Sequence, residues 1–168
     1  MAGPIELLAG RPEEAERELR HAWDALAASG DTALLGSPAL MLAEALLAQE
    51  RDEDARRFAE IGKAAMSPDD ITDQVLAASV EARMAARAGD LATAEAEARR
   101  AVEIAAGTDA LALHAAALAL LGEVLERPVD ALEAFQKALG LYERKGHLVG
   151  AKRAAQAVDA LADRTAVR

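Results

Sequence analysis

A short pattern that occurs four times along the chain is the strongest constraint on how this sequence folds. Each copy combines a turn with at least one acidic residue and leads into an alanine; the copies span 9–15, 49–55, 88–94 and 125–131. Their final residues, here called the marker alanines, are 40, 39 and 37 residues apart. These are Ala15, Ala55, Ala94 and Ala131. A period of this size is typical of arrays of stacked supersecondary units.

Each copy of this turn pattern is predicted to end one helix and to begin the next. Gly10 and Gly89 suit the left-handed backbone of a helix C-cap, which is sterically unfavourable for other residues. Pro12 and Pro128 suit the first turn of a helix, where no amide hydrogen is required. The acids that follow favour the positive end of the helix dipole. A period near 39 with these boundaries predicts a series of helical hairpins.

The composition favours closely packed helices. Alanine, the strongest helix former, accounts for 45 of the 168 residues, and only 2% are aromatic, so the side chains that cover an all-β fold are scarce. Mostly small residues follow the marker alanines at spacings of four and three, on one helix face. Another small residue lies twelve positions before each marker: Gly3, Ala43, Ala82 and Ala119. These positions are predicted to face each other across the turns.

The predicted fold class is all-α: an α-solenoid of about four antiparallel helical hairpins and a C-terminal capping helix, in one domain spanning 1–168. We predict helices at 1–9, 12–29, 37–49, 52–66, 71–88, 91–106, 109–125, 128–145 and 148–163. They form units 1–30, 37–66, 71–106 and 109–146, followed by the capping helix 148–163. Gly30 and Gly146 are predicted to close helices, and Ser37 to cap one.

The turn, the acids and the small residues at interlocking positions together resemble the tetratricopeptide repeat (TPR), in a variant with a period longer than usual. Two stretches, 5–20 and 138–146, resemble something narrower. They are similar to the C-terminal repeat region of large bacterial proteins that join a nucleotide cyclase domain to an ATPase-type module, and of related transcriptional regulators. This resemblance implies a non-catalytic arm of a larger signalling protein, because no phosphate-binding loop is present in the sequence.

Charge and targeting signals narrow the class of partner. The net charge of −10 argues against nucleic acid as the main partner of this domain. Residues 1–126 carry 11 basic and 24 acidic side chains, whereas residues 127–168 carry 8 basic and 5 acidic ones. This uneven distribution indicates either solvated helix faces of differing sign or a basic docking surface near the C-terminus. No cysteine, signal peptide or membrane span is evident, so a soluble cytoplasmic protein is expected.

The sequence offers no catalytic or metal-binding constellation. His21, His114 and His147 fall in different units without metal-ligand spacing, and the carboxylate pairs fall at helix starts, where the dipole explains them. We therefore predict no enzyme activity, no cofactor and no metal. Trp23 is either a binding anchor or a residue that packs against a neighbouring unit.

In a tetratricopeptide array the first helix of each hairpin lines a concave groove, and this resemblance implies the groove residues of this chain. By offset from the marker alanines we predict a partner-binding groove formed by Leu40, Glu44, Leu47, Ser79, Arg83, Leu120, Lys152 and Gln156. Charges beside leucines suit a short peptide or a helix of a partner protein. Alternatively, these charges only keep the groove soluble.

Three functions are compatible with this sequence. The first is a protein–protein interaction and regulatory module with a protein or peptide partner in the groove. The second is a small-ligand-sensing groove of a regulator. The third is self-association, with a homo-oligomer formed through the first hairpin, because its leading helix is predicted to be only about nine residues long and leaves core exposed.

Overall fold

The computed structural model describes residues 3–29 and 34–166. Over these ranges the chain forms nine α-helices and no strand, which confirms the all-α prediction. The helices are α1 Gly3–Leu8, α2 Pro12–Ser29, α3 Gly36–Leu47, α4 Asp52–Ala65, α5 Ile71–Arg87, α6 Leu91–Ala106, α7 Leu111–Val124, α8 Pro128–Lys145 and α9 Leu148–Ala166. Every end lies within three residues of its predicted position. Gly30 and the start of the predicted helix 1–9 fall outside the described residues.

The helices pack in consecutive pairs, and small side chains occupy the interfaces. All four marker alanines are buried. Ala43 shares a cluster with Ala55 and Ala59 between α3 and α4. Ala82 shares a cluster with Ala94 and Ala98 between α5 and α6. These small side chains allow the paired helices to approach closely, as their spacing predicted.

Three glycines end helices in the left-handed conformation. Gly10, Gly89 and Gly146 have φ angles of +74°, +80° and +72°, as expected for the C-cap of a helix. In the turn between α3 and α4 the equivalent position is Glu50, which adopts φ +61° although it is not a glycine. The turn between α7 and α8 differs, because Leu125 and Arg127 are extended before Pro128.

Ser37 has a different role from the predicted one. The helix α3 begins at Gly36, so Ser37 lies within its first turn, and its hydroxyl donates a hydrogen bond to the Asp73 carboxylate of α5. The prediction missed this bond because it joins two units 36 positions apart. Two side-chain N-caps of this region are Asp70 at α5 and Asp90 at α6, which accept the backbone N–H groups of Asp73 and Thr93.

The two ends of the described chain are tied into the helix array. Trp23 of α2 contacts Phe58 of α4 edge to face, with ring centroids 5.6 Å apart, so it packs against the neighbouring unit, as in the second of the two predicted roles. The short helix α1 packs on α2, and it also contacts both α3 and α9. Because α1 touches the last helix, it bridges the space between the other odd-numbered helices, α3, α5, α7 and α9.

Within the described ranges, no helix has the length and apolar character required to cross a membrane.

Candidate functional site

A groove of about 680 Å³ runs between the odd-numbered helices. Its walls come from α3, α5, α7 and α9, with Phe135 and Tyr142 added from α8. Pro4, Leu7 and Leu8 of α1 lie over it. Most of the other lining side chains are small or aliphatic. A concave, mostly apolar space with a few polar groups has the general character of a ligand-binding site.

A row of alternating charges crosses the groove from α3 to α9; we call Glu44, Arg83, Glu123 and Arg153 the charged row. The guanidinium of Arg83 lies 3.7 Å from the Glu44 carboxylate and 2.7 Å from the Glu123 carboxylate. Arg153 contacts the other oxygen of Glu123 at 3.4 Å. The charged row therefore connects four different helices, α3, α5, α7 and α9, through side chains alone.

Burial in the groove changes the acid–base properties of this row. Desolvation raises the pKa of Glu44, although Arg83 acts in the opposite direction. The Glu44 side chain is 21% exposed and lines the groove. The pKa of Arg83 is raised by Glu123 and Glu44 despite its own desolvation, so it stays charged.

Tyr142 supplies a polar group that the rest of the structure leaves without a partner. Its side chain is 2% exposed, and its hydroxyl makes no hydrogen bond within the described part of the chain. Desolvation raises the pKa of Tyr142 to about 12, so the hydroxyl remains a neutral donor. The ring lies against Gly150, where a Cβ atom would come within 2.6 Å of two ring carbons. His147, whose ring centroid is 5.3 Å away, also lines the groove.

The structure brings five of the eight predicted groove residues together. Glu44, Leu47, Ser79, Arg83 and Leu120 all line the groove. Ser79 is 8% exposed, and its hydroxyl donates to the Val75 carbonyl at 2.8 Å, so this group is already satisfied within its own helix. The offset from the marker alanines therefore brings these five side chains to one groove, and their role in binding a partner stays a prediction.

Three predicted residues lie elsewhere. Leu40 is fully buried and packs against Gly62 in the α3–α4 interface. Lys152 and Gln156 are exposed and do not line the groove; Arg153 does. The predicted face of α9 is thus off by one residue. The physical reason is that α9 packs with Gly150 on the Tyr142 ring, which directs Gly150, Arg153 and Ala157 toward the groove. The arginine was visible in the sequence, but its direction depends on this contact between α8 and α9.

Two histidines are explained by their local surroundings. His147 accepts the Gly150 N–H on Nδ1 at 3.1 Å and caps the start of α9. Burial lowers the pKa of His114, which keeps the imidazole neutral. Among residues 3–29 and 34–166, no group of three or more metal-ligating side chains could hold a metal ion. The side chains that line the groove offer hydrogen bonding, ion pairing and apolar contact.

Comparison with known proteins gives no family for this chain. No protein-family model matches it, and no curated protein sequence matches it significantly.

Proposed function

We propose that this chain is a non-catalytic binding and regulatory module of the TPR-like solenoid class that recognises its ligand in the groove. The groove carries this proposal: it combines an apolar lining with a few charged groups drawn from four separate helices. A ligand that contacts several helices at once changes how they sit relative to one another. Binding can thereby be transmitted to an attached domain.

A small ligand fits the groove better than a long segment of a partner protein. The volume of about 680 Å³ lies within the range of small-molecule sites, roughly 300–1,000 Å³. The contact between α1 and α9 also bridges the groove. An α-helix with its side chains is roughly 10 Å wide, and it would enter only after α1 moved aside. Of the predicted ligands, the geometry therefore favours the small one.

A ligand screen with a blocked groove tests this proposal. Ala116 lines the groove and is exposed, so Ala116→Trp fills the space without disturbing the core. Ala96 is exposed on α6 outside the groove, and Ala96→Trp is the matched control. A library of small organic acids, bases, neutral molecules and short peptides is screened by thermal shift, because a ligand of the folded state raises its melting temperature. We expect compounds that stabilise wild type and Ala96→Trp but not Ala116→Trp. A screen without such compounds contradicts the proposal.

A segment of a partner protein is the second candidate ligand. The alternation of Glu44, Arg83, Glu123 and Arg153 favours it, because matching polar side chains of a peptide would face opposite charges. Hydrogen–deuterium exchange separates the two candidates. A small ligand beneath α1 should raise the protection of α1 amides, and an inserted segment should lower it.

The larger context is proposed from the resemblance of two sequence stretches. We propose that the chain serves as the C-terminal arm of a bacterial signalling or transcriptional regulatory protein in the cytoplasm. The neighbouring coding sequence tests this directly, since a cyclase or ATPase domain in frame and upstream supports it. Self-association through α1 remains a prediction. The helix contacts α2, α3 and α9 of its own chain, and sedimentation at increasing concentration tests whether it also joins two chains.

A further inference from the structure

We propose that the groove binds a small amphipathic organic anion, with its carboxylate at Arg153 and Tyr142 and its apolar body along the aliphatic wall. This inference rests on the proposed function, because it names the ligand class of the same groove. Three independent observations carry it: the sign of the charge in the groove, the weak pairing of Arg153 and the unpartnered hydroxyl of Tyr142.

The groove has a charge balance opposite to that of the whole chain. The chain carries a net charge of −10. The charged residues that line the groove are instead three arginines and two glutamates: Arg83, Arg87, Arg153, Glu44 and Glu123. One more guanidinium than carboxylate along the groove, in an otherwise acidic protein, favours an anion over a cation or a neutral molecule.

Arg153 is the guanidinium whose charge is most available. Arg83 lies between two carboxylates, and Arg87 donates to Asp52 at 2.6 and 3.2 Å. Arg153 contacts only Glu123 among the described residues, at 3.4 Å, and that carboxylate is already bound by Arg83 at 2.7 Å. A guanidinium has five donors in a planar fork that matches a carboxylate with two parallel hydrogen bonds. The free donors of Arg153 therefore select a carboxylate.

The hydroxyl of Tyr142 provides a second donor on the same wall. A buried donor without an acceptor costs roughly 1–3 kcal/mol, and buried polar groups in folded proteins rarely lack a partner. The hydroxyl is shielded from solvent and is close enough to Arg153 and Glu123 for their charges to affect it. When Arg153 turns from Glu123 to a ligand carboxylate, a carboxylate oxygen can also accept a hydrogen bond from the Tyr142 hydroxyl.

The apolar part of the groove defines the rest of the ligand. Aliphatic side chains from four helices line it: Leu7, Leu47, Leu76, Leu113 and Leu120. Together they offer contact to a hydrocarbon body, worth roughly 25 cal/mol for each Å² removed from water. A molecule with one carboxylate and an alkyl or aryl body satisfies both parts of the groove.

Three unbranched probes with the same number of carbon atoms and different polar ends test the inference by calorimetry on the whole chain. They are octanoate, 1-octanol and octylammonium. We expect octanoate to bind with one-to-one stoichiometry and about tenfold more tightly than 1-octanol, which corresponds to one charge-assisted pair. Octylammonium should bind more weakly than either.

Variants then locate the carboxylate. Arg153→Met should remove the preference for octanoate over 1-octanol, while Lys152→Met, the neighbouring cation outside the groove, should leave that preference within about twofold. Tyr142→Phe should weaken octanoate several-fold yet leave the melting temperature unchanged or higher, because it removes an unsatisfied hydroxyl. A Tyr142 that only packs would leave the octanoate-to-octanol ratio unchanged in Tyr142→Phe.

Three results overturn the inference: no binding of octanoate, equal binding of octanoate and 1-octanol, or a preference that survives in Arg153→Met. If octanoate does not bind while the library screen still yields compounds that Ala116→Trp excludes, the inferred ligand class is wrong and the proposed function stands. If those compounds are all peptides, the ligand class is a protein segment. If neither experiment yields a ligand, both the inference and the proposed function fail.

Discussion

Arg83 of α5 and Glu123 of α7 form a 2.7 Å ion pair across the groove, 40 positions apart in the sequence. The separation is close to the repeat period, so corresponding faces of neighbouring hairpins supply the two partners. Glu44 of α3 extends the pair by one further unit. The repeat therefore determines not only which residues are buried but also which charges meet.

We predict that Arg83→Met destabilises the fold by about 1–2 kcal/mol, because it leaves Glu44 and Glu123 facing each other without a cation. Arg83 and Arg87 are both 34% exposed, but Arg87 pairs with a single, more exposed carboxylate. Arg87→Met is thus the matched control and should cost less than about 1 kcal/mol. Urea unfolding at pH 7 compares the two variants.

The loss in Arg83→Met should shrink as the pH falls. The pKa of Glu44 is raised even in wild type, and it rises further without Arg83. A carboxyl whose pKa is higher in the folded state stabilises the fold as it takes up its proton. A loss that is independent of pH between 7 and 5 contradicts this account.

The contributions of two aspartates to the stability of the fold should depend on pH in opposite directions. Burial raises the pKa of Asp73, whereas the hydrogen bonds from Thr93 lower the pKa of Asp90. Asp73 therefore adds stability below the unfolded pKa of about 3.9 and loses that contribution as the pH rises through its folded pKa. Asp90 contributes stability above the unfolded pKa and loses it as the pH falls through its folded value.

The substitutions Asp73→Asn and Asp90→Asn test these signs. From pH 7 to pH 4 the stability of Asp73→Asn relative to wild type should fall, because only wild type gains from protonation. Over the same range the relative stability of Asp90→Asn should stay level or rise slightly, since the lowered pKa keeps the wild-type cap ionised and its contribution is lost only at lower pH. Identical trends in chemical denaturation curves of the two variants count against the assigned pKa directions.

The same glycine-to-alanine change should have opposite effects at two positions. At Gly150 a Cβ atom would lie 2.6 Å from the Tyr142 ring, and at Gly140 nothing lies within 4 Å. We expect Gly150→Ala to destabilise by about 1–2 kcal/mol through overpacking. Gly140→Ala should stabilise by up to about 1 kcal/mol through helix propensity. Thermal unfolding of both variants measures the difference, and equal melting temperatures contradict the ring contact.

Replacement of Glu50 by glycine should stabilise the protein. Its φ of +61° is unfavourable for a residue with a side chain, and Gly10 and Gly89 occupy the equivalent turn positions. Glu50→Gly should raise the free energy of unfolding by about 0.5–1 kcal/mol. Glu53→Gly, made in the first turn of α4, should instead lower it by about as much. A Glu50→Gly variant less stable than wild type would show that this turn is not left-handed.

The sequence by itself determined the helices and their pairing. Marker alanines, glycine C-caps and prolines act within one or two helical turns, so local rules located the helix ends to within three residues. The same periodicity placed Glu44, Arg83 and Leu120 on the groove, because α3, α5 and α7 repeat one geometry.

Only the tertiary structure decided the ends of the groove. The face of α9 depends on how Gly150 meets Tyr142, and the bridge across the groove depends on α1 reaching α9. Both contacts involve helices that do not follow the repeat, so positions counted from the marker alanines could not predict them. The free donors of Arg153 and Tyr142 arise at this irregular end, because shape complementarity between non-equivalent helices, rather than local propensity, determines where their side chains point.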